Sequence, residues 1–534
     1  MTDLTQSILS MPFAQRQALS RQVELALRQN PKNVEAILTA SAVSMSEGDT
    51  AAATSWLKKA LALRKKDPDI LLRLATISQM AKDYRNARKY GRKLCEVEPR
   101  KAENHQIYAT ILEQAGDPEG AIRAYTAKLR LKPQDAPTLA AIGRCYGFQG
   151  DYAQAAHFYE KALAISPQHP SALYGLANSA RFDADEAGGF IQRLEEAAQN
   201  QPEDGEAAML LYSAGKVAED AREYPRAFSL FSRANAAKRP EGGDIHQRSF
   251  DNVEKAFTSK LMKSKAGYGL ATRQPIFIVG MPRSGTTLTE SICAAHSKVT
   301  ARDELPYAGS ICEALGVANE SSEPFVRAIA DIPPAGAKAM AEDYLEKAVG
   351  PEGIRTSHFT DKMPHNFRFV GFIALILPDA PIIHMRRHPL DNCLSIFSNS
   401  MNQFHNLYKT DLVTLGLHYR RYHRLMKHWK SLLPGQMLEV FYEDLVANTE
   451  LNARKLIDHI GLDWEDGVMD RSGSQRSVRT LSVWQVRQPV YDSSKGKWRR
   501  YEKELAPLME ILAPVVEEYE AELAALERQS ETSK

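Results

Sequence analysis

Residues 275–296 read PIFIVGMPRSGTTLTESICAAH, and this stretch decides how the second half of the chain folds. The apolar run Ile276–Gly280 predicts a buried strand, and the segment Ser284–Thr287 opens a helix. Four residues separate the two glycines of GMPRSG, which is the spacing of a loop whose backbone N–H groups converge on a phosphate. Thr286 stands where such a loop carries its lysine, and Arg283 supplies the cation instead. The sequence therefore predicts an anion-binding loop for a ligand other than ATP with magnesium.

The composition is that of an ordinary globular protein. The chain has 534 residues, of which 43% are hydrophobic and 25% are charged, which is enough for two or three domains. A net charge of +2 is too small for a general affinity for nucleic acids or membrane surfaces, so we expect neither as a partner. Five widely spaced cysteines favour reduced thiols in a core over a disulfide framework. No run approaches the roughly 18 apolar residues of a membrane span, so the expected location is cytoplasmic.

The first half repeats with a period of 34 residues. This period, with a small residue in the second helix and a proline at the end of each unit, predicts tetratricopeptide repeats, in which paired helices stack into a solenoid. The best unit runs from Pro137 to Pro167, the clearest repeats span 33–170, and we expect five to seven helix pairs ending near residue 240. The positions that align are Asp49, Asp83, Asp117 and Asp151; Ala53, Ala87, Ala121 and Ala155; Leu63, Val97, Leu131 and Ile165; and Pro99, Pro133 and Pro167.

A change in composition marks the end of the repeats. From Lys238 the chain reads KRPEGGDIHQ, which is polar and rich in glycine. We therefore predict a solenoid over 1–245, a connector over 246–273 and a second domain over 274–528. The solenoid offers a concave groove for a peptide or protein. The solenoid could equally pack against the second domain or mediate self-association into a homodimer.

The second half alternates short apolar runs with helical stretches, which predicts an α/β domain with a parallel sheet. In such folds ligands bind at the carboxyl ends of the strands, so the polar residues after each run are candidate site residues. The short apolar runs are Phe359–Asp361, Pro381–Met385 and Met437–Phe441, and the helical stretches between them are Phe369–Leu377 and Leu412–Leu433. The polar residues that follow strand-like runs are Arg283, Lys362, Arg387 with Ser395, and Tyr442.

The segment APIIHMRRHPLDNCLSIFSN, residues 380–399, predicts a second anion site. Ser395 follows Arg387 by eight residues, so both could reach one phosphate across a strand-to-helix turn. Taken alone, Arg386 and Arg387 are more often a solvated pair. His384 and His388 are more often structural than metal ligands because no carboxylate or cysteine accompanies them at zinc-site spacing, so we expect no metal.

Three motifs together carry a resemblance to a known family: MPRSGTTL, RRHPLDNCLSIFS and SVWQVRQPVYDSSKGKWRRY. With them the chain resembles the bacterial tetratricopeptide-repeat sulfotransferases, whose catalytic half is similar to tyrosylprotein sulfotransferase. The resemblance covers nearly the whole chain, and its catalytic part runs from about 274 to 500. It implies an α + α/β fold, a solenoid followed by a P-loop-like domain. The implied reaction moves a sulfuryl group from 3′-phosphoadenosine 5′-phosphosulfate to a hydroxyl acceptor.

The resemblance also implies roles for individual residues. Glu304, in RDELP, matches the catalytic base and follows Arg283 by 21 residues. Lys362 and Ser482 match the residues that stabilise the transition state together with Arg283, and Ser482–Tyr491 matches a loop that closes over the nucleotide. The positions matched to cofactor binding are Arg283, Ser284, Gly285, Thr286 and Thr287 for the phosphosulfate, Arg387 and Ser395 for the 3′-phosphate, and Tyr442, Ser482 and Lys497 for the remaining contacts.

The chain departs from the eukaryotic pattern at the acceptor site and at one phosphate contact. Pro306 and Ser310 stand where that enzyme has arginines for acidic peptides, and Asn399 replaces an arginine on the 3′-phosphate helix. Protein tyrosine, a carbohydrate or a small phenol all fit as the hydroxyl acceptor, and the repeats favour a protein or peptide.

Two other functions remain open from the sequence. An ATP-dependent kinase with an atypical loop would need a carboxylate at a strand end to hold magnesium, and Asp361 is the only candidate. The other is a repeat scaffold whose nucleotide-binding half is catalytically inactive.

Overall fold

The computed structural model describes residues 7–8, 10–201, 205–240, 246–318, 321–350, 353–469 and 495–532. They form two compact units, Met1–Ala180 and Arg181–Lys534. The described part of the first unit is helical throughout. Its helices are α1 Phe13–Gln29, α2 Val34–Ser46, α3 Thr50–Leu63, α4 Pro68–Met80, α5 Tyr84–Val97, α6 Ala102–Gln114, α7 Pro118–Leu131, α8 Ala136–Gln149, α9 Tyr152–Ile165 and α10 Pro170–Ser179.

The 34-residue period is the period of a helix pair, and the repeated aspartates begin the second helix of each pair. Their side chains accept hydrogen bonds from backbone N–H groups in the first turns of α3, α5, α7 and α9. Such an N-cap is worth about 1 kcal/mol because it satisfies a donor that the helix leaves open. The aspartates therefore fix where each second helix starts, and the prediction of tetratricopeptide-like helical repeats is confirmed.

Packing within the first unit explains the small residues of the repeat. The aligned alanines, such as Ala121 and Ala155, are fully buried between helices. Tyr159 of α9 lies between two glycines, and a Cβ at Gly175 would come within 2.1 Å of its ring and one at Gly143 within 2.9 Å. The aligned apolar positions at the ends of the second helices differ among themselves, since Val97 packs against the core whereas Ile165 is exposed. Leu63 and Leu131, at the equivalent positions, are exposed too.

The described part of the second unit combines a parallel sheet with helices. Its strands are β1 Pro275–Gly280, β2 Val299–Ala301, β3 His358–Asp361, β4 Ile382–Arg386 and β5 Met437–Phe441. Its helices are α11 Ala184–Gln199, α12 Gly205–Asp220, α13 Tyr224–Ala237, α14 His246–Ala256, α15 Ser259–Ser264, α16 Thr286–Cys293, α17 Tyr307–Ala314, α18 Glu323–Ala330, α19 Pro334–Val349, α20 Val370–Ile376, α21 Pro389–Phe397, α22 Gln403–Lys409, α23 Leu412–Leu432, α24 Tyr442–Ala447, α25 Thr449–Ile460 and α26 Ala506–Thr532.

The sheet has the order β2-β3-β1-β4-β5, and every neighbouring pair is parallel. The central strand β1 is buried along its whole length and pairs through Phe277 with Asp361 on one side and Ile382 on the other. The predicted parallel sheet is confirmed. The stretch 369–377 is helical as expected, because it contains α20, whereas the three-residue strand β2 was not predicted.

Helices α11 to α13 belong to the same compact unit as the sheet, because that unit begins at Arg181. The boundaries near 245 and 273 stay predictions from composition. The described residues include all five cysteines, which are unpaired, and four of them are buried, as expected for core thiols. No helix within the described ranges combines the length and apolar character that a membrane crossing requires.

Asn235 of α13 ties these helices to the rest of the second unit. Its amide oxygen accepts hydrogen bonds from Tyr212 Oη at 2.7 Å and Lys409 Nζ at 2.9 Å, and its Nδ2 donates to the carbonyl of Phe397 at 2.9 Å. Asn235 and Lys409 are fully buried. Burial, helped by the nearby charge of Lys238, lowers the pKa of the Lys409 ammonium to about 7. A single amide therefore satisfies polar groups from three helices.

We predict that Asn235→Ala lowers the free energy of unfolding of the second unit by about 3 kcal/mol, because it strands several buried polar groups. Urea denaturation followed by tryptophan fluorescence would measure this change. A Trp56→Phe background leaves tryptophans only in the second unit. Ser229→Ala, at an exposed position of the same helix, is the control and should change stability by less than about 0.5 kcal/mol. Equal unfolding midpoints for the two variants would contradict a structural role for Asn235.

Candidate functional site

The loop between β1 and α16 is the predicted anion-binding loop. Its backbone enters the left-handed region at Arg283, with φ 67°, and again at Gly285, with φ 108°. A Cβ at Gly285 would also lie 2.7 Å from the ring of Tyr442. Both facts require glycine at this position, because a side chain would be strained and would collide with the tyrosine.

Ser284 supplies an unsatisfied polar group inside this loop. Its side chain is buried, and its Oγ has no hydrogen-bond partner among the residues that the structure describes. Buried hydroxyls are normally satisfied, so such an atom points to a missing acceptor. Together with the amides at the start of α16, it suits a phosphate or sulfate oxygen.

The second predicted anion site lies against the loop. Nη1 of Arg387 donates to the carbonyl of Arg283 at 3.0 Å, and Nε of Arg283 donates to Ser395 Oγ at 3.2 Å. The guanidinium of Arg387 lies over the ring of Tyr442, 5.0 Å from its centre. The structure therefore brings Arg283, Arg387, Ser395 and Tyr442 together.

Arg386 makes different contacts from its neighbour Arg387, since Arg386 is the last residue of β4 and Arg387 follows the strand. Its guanidinium forms ion pairs with Glu439 and Glu522. Both arginines are buried, so neither is solvated as an arginine at a strand end more often is. His384 is structural as expected, with its Nε2 within hydrogen-bond distance of the hydroxyl of Tyr422 at 2.5 Å.

The predicted base and the predicted lysine are in contact. Nζ of Lys362 donates to Glu304 Oε1 at 3.0 Å and pairs with Asp303 Oδ1 at 3.2 Å. The lysine side chain is 1% exposed and that of Glu304 is 46% exposed. The carboxylate can therefore meet a molecule from solvent while its cationic partner stays fixed below it.

The charge of Lys362 is maintained by its acidic surroundings. Burial alone would lower the pKa of this ammonium, but the charges of Glu304, Glu290 and Asp303 outweigh burial and raise the pKa above its usual value. Lys362 is consequently a permanent cation at neutral pH, placed directly after strand β3.

Lys497 lies in a short 3₁₀ turn, Lys497–Tyr501, and is held by Glu219 of α12. Its Nζ is 2.6 Å from Glu219 Oε2, and the hydroxyl of Tyr501 donates to the other oxygen at 2.6 Å. The same turn is anchored to α21, because Asp391 accepts hydrogen bonds from the backbone N–H groups of Gly496 and Trp498. Lys497 therefore lies beside the helix that carries Ser395, but its ammonium is paired with a carboxylate.

The remaining predicted positions are placed as follows. Thr286 and Thr287 form the first turn of α16. Ser482 and the loop Ser482–Tyr491 lie outside the described residues. Asn399 donates from Nδ2 to the carbonyl of Ser395 at 2.8 Å, so it caps the end of α21. Pro306 and Ser310 stand at the start of α17, where Ser310 bonds to the carbonyl of Pro306.

The sequence reasoning missed two residues that shape the site. Glu290 lies on α16 and is buried close to Lys362. Asp303 pairs with Lys362 from a left-handed backbone conformation with φ 59°. An acidic residue in the short helix after the loop was a visible signal for Glu290, and the adjacent carboxylates of RDELP were a signal for Asp303.

Within the described ranges, no group of three or more His, Cys, Asp or Glu side chains is positioned to hold a metal ion. The expectation that the protein needs no metal stays a prediction.

Comparison with known proteins identifies both segments. Residues 275–466 match the sulfotransferase family, and residues 136–169 match the tetratricopeptide repeat. The chain is 35% identical over 306 residues to an uncharacterized protein of Aquifex aeolicus, covering 56% of this chain but only 40% of that protein. It is 23% identical over 280 residues to protein-tyrosine sulfotransferase 1 of Danio rerio, covering 48% of this chain and 76% of the relative.

Among solved structures, that of PilW, a type IV pilus biogenesis factor, is 20% identical with a TM-score of 0.30, covering 38% of this chain and 92% of PilW. The family assignment rests on the sequence matches and not on this structural likeness. The chain carries tetratricopeptide repeats followed by a sulfotransferase-family domain, and this domain is homologous to the protein-tyrosine sulfotransferases.

Proposed function

We propose that the second unit transfers a sulfuryl group from 3′-phosphoadenosine 5′-phosphosulfate to a hydroxyl group. The observation that carries this proposal is the contact of 3.0 Å between buried Lys362 and accessible Glu304 in a domain built on an anion-binding loop. A base and a cation held together in this way are the two groups that sulfuryl transfer from a phosphosulfate requires.

The residues of the loop fit the proposed donor. The unsatisfied Oγ of Ser284 and the open backbone N–H groups at the start of α16 would bind the phosphosulfate, with Thr286 and Thr287 in the same turn. Arg387 and Ser395 would bind the 3′-phosphate, and the ring of Tyr442 walls the loop at Gly285. The donor supplies an activated sulfuryl group whose leaving group is adenosine 3′,5′-bisphosphate.

In the proposed reaction Glu304 takes the proton of the acceptor hydroxyl as the acceptor oxygen attacks sulfur. The bond between sulfur and the 5′-phosphate oxygen breaks, and its electron pair leaves with the bisphosphate. Lys362 and Arg283 would stabilise the charge that develops on that oxygen, since fixed cations in a buried site need little reorganisation. We place Ser482 with them on the strength of the family resemblance alone.

We further propose a tyrosine hydroxyl of a peptide or protein as the acceptor. The homology to protein-tyrosine sulfotransferases and the presence of tetratricopeptide repeats support this choice. Pro306 and Ser310 provide no cationic side chain next to the base, so the preference for acidic peptides is not carried over. A homodimer and a cytoplasmic location stay predictions from the sequence.

The kinase alternative is less well supported by the geometry. Asp361, its candidate magnesium ligand, is fully buried and accepts hydrogen bonds from Tyr344 Oη at 2.8 Å and Asn366 Nδ2 at 3.3 Å. Burial raises the pKa of its carboxyl to about 7, which disfavours the charged form that a magnesium ion needs. A carboxyl held in this way supports the sheet better than it would coordinate an ion.

We predict that Glu304→Gln lowers the turnover number roughly 100-fold or more, because the amide cannot take the acceptor's proton. Transfer of radiolabelled sulfate to a tyrosine peptide, a small phenol and a carbohydrate would measure the loss. Calorimetric affinity for adenosine 3′,5′-bisphosphate should stay within about twofold of the wild type. Glu313→Gln, an exposed glutamate on α17, is the control. Nearly normal turnover in Glu304→Gln would remove the assigned base.

A second prediction concerns Lys497. If this lysine binds a phosphate, Glu219 competes with the nucleotide for its ammonium, and Glu219→Gln should raise the affinity for adenosine 3′,5′-bisphosphate several-fold. Lys497→Ala should lower that affinity, and Glu223→Gln, at the residue that precedes α13, should leave it unchanged. Titration calorimetry on the three variants decides the matter. Unaltered affinity in both Glu219→Gln and Lys497→Ala would show that the pair is purely structural.

A further inference from the structure

Glu290 is a buried carboxyl that the proposed reaction does not use. It lies on α16, the helix that the anion-binding loop opens, and its residue is 6% exposed. Its Oε1 accepts a hydrogen bond from Thr360 Oγ1 at 2.7 Å and another from the backbone N–H of Asp303 at 3.2 Å. One carboxyl oxygen therefore joins α16 to strand β3 and to the turn that precedes Glu304.

That turn is unusual in its backbone. Asp303 has φ 59°, a conformation that costs a residue with a side chain about 1 kcal/mol or more unless its surroundings hold it. Three hydrogen bonds do so. Glu290 accepts from the N–H of Asp303, the carbonyl of Asp303 accepts from the N–H of Lys362 at 2.9 Å, and Thr360 Oγ1 accepts from the N–H of Arg302 at 3.3 Å.

The conformation of this turn decides where the catalytic groups point. Asp303 and Glu304 both present their carboxylates to Lys362 Nζ, at 3.2 and 3.0 Å. Release of the N–H of Asp303 would let the backbone rotate toward the ordinary regions of conformational space. The two carboxylates would then leave the ammonium, and the proposed base would lose its orientation.

The electrostatic surroundings of Glu290 suit an acceptor that need not be fully ionised. Burial raises the pKa of the Glu290 carboxyl to about 7, against the opposing charge of Lys362 and with the support of Asp303. The charge of Glu290 also contributes to the raised pKa values of the nearby Asp361 and Cys293. The carbonyl oxygen of a protonated carboxyl accepts hydrogen bonds as well, so the bonds from Thr360 and Asp303 do not depend on ionisation.

We propose that Glu290 is a positioning residue, whose hydrogen bonds with Thr360 and with the backbone of Asp303 hold the turn that aims Glu304 at the acceptor hydroxyl. This inference rests on the proposed function for the role of Glu304, whereas the fixing of the turn is a structural claim in its own right. The same bonds connect α16 to strand β3 and to the turn before the base.

Glu290→Ala and Glu290→Gln in the full-length chain separate hydrogen bonding from mere packing. Glutamine keeps an oxygen acceptor of the same length, whereas alanine has none. We expect Glu290→Ala to lower kcat at least 10-fold with the KM for the donor within about twofold, and to speed amide exchange at Asp303 at least 10-fold. Glu290→Gln should retain at least a third of kcat and the slow exchange of that amide.

Glu313→Ala serves as the control for a lost glutamate near the base. Thr360→Val removes the hydroxyl that bonds both to Glu290 and to the N–H of Arg302, so it should also lower kcat and loosen the turn. It tests the same claim if Glu290→Ala does not fold. Unchanged Asp303 exchange and kcat in Glu290→Ala would overturn the proposal, as would a Glu290→Gln variant as impaired as the alanine variant.

The exchange measurement keeps this inference separate from the proposed function. If the wild-type protein transfers no sulfuryl group while amide exchange at Asp303 still differs between Glu290→Ala and Glu290→Gln as expected, the proposed reaction is contradicted. The role of Glu290 in fixing the turn is then still supported. Active wild-type protein without that contrast would sink the role of Glu290 alone.

Discussion

The rest of the site depends on how the buried ammonium of Lys362 is compensated. An ammonium removed from water costs several kcal/mol unless nearby charges and hydrogen bonds compensate it. Here the compensation comes from Asp303 and Glu304, which contact the ammonium, and from Glu290, whose charge acts on it. The turn before Glu304, strand β3 and helix α16 therefore come together around this ammonium.

The parallel sheet explains why distant segments meet there. All five strands run the same way, so the residues that follow β1, β3, β4 and β5 emerge at one edge. Arg283, Lys362, Arg387 and Tyr442 each come from a different strand end. Strand β4 ends between two adjacent arginines, of which Arg387 contacts the loop and Arg386 contacts Glu439 in an ion pair. The topology of the sheet therefore determines which residues lie near each other at the site.

The sequence predicted the features that depend on local or periodic patterns. The loop, the central strand, the repeat period and the parallel sheet follow from spacing and from runs of apolar residues. It did not predict β2, because a strand of only three residues is too short to give a clear periodic pattern.

Contacts between residues far apart in the chain were also beyond the reach of the sequence. Glu290 bonds to Thr360 across 70 positions, and Lys497 pairs with Glu219 across 278. No local pattern encodes which buried carboxyl meets which partner, since that depends on how the packed elements come together. The burial of Arg386 and Arg387 could not be predicted from the sequence either. Charged residues are usually solvated, and here tertiary packing removes both side chains from solvent.

The boundary between Ala180 and Arg181 limits where recombination can divide this chain. Helices α12 and α13 resemble the preceding repeats in form, yet through Glu219 and Asn235 they are integral to the unit that contains the sheet. Recombination that lengthens, shortens or exchanges the first unit would thus leave the second unit intact only if the crossover falls before Arg181. The first unit can then vary by itself, whereas α11 to α13 are inherited with the sheet.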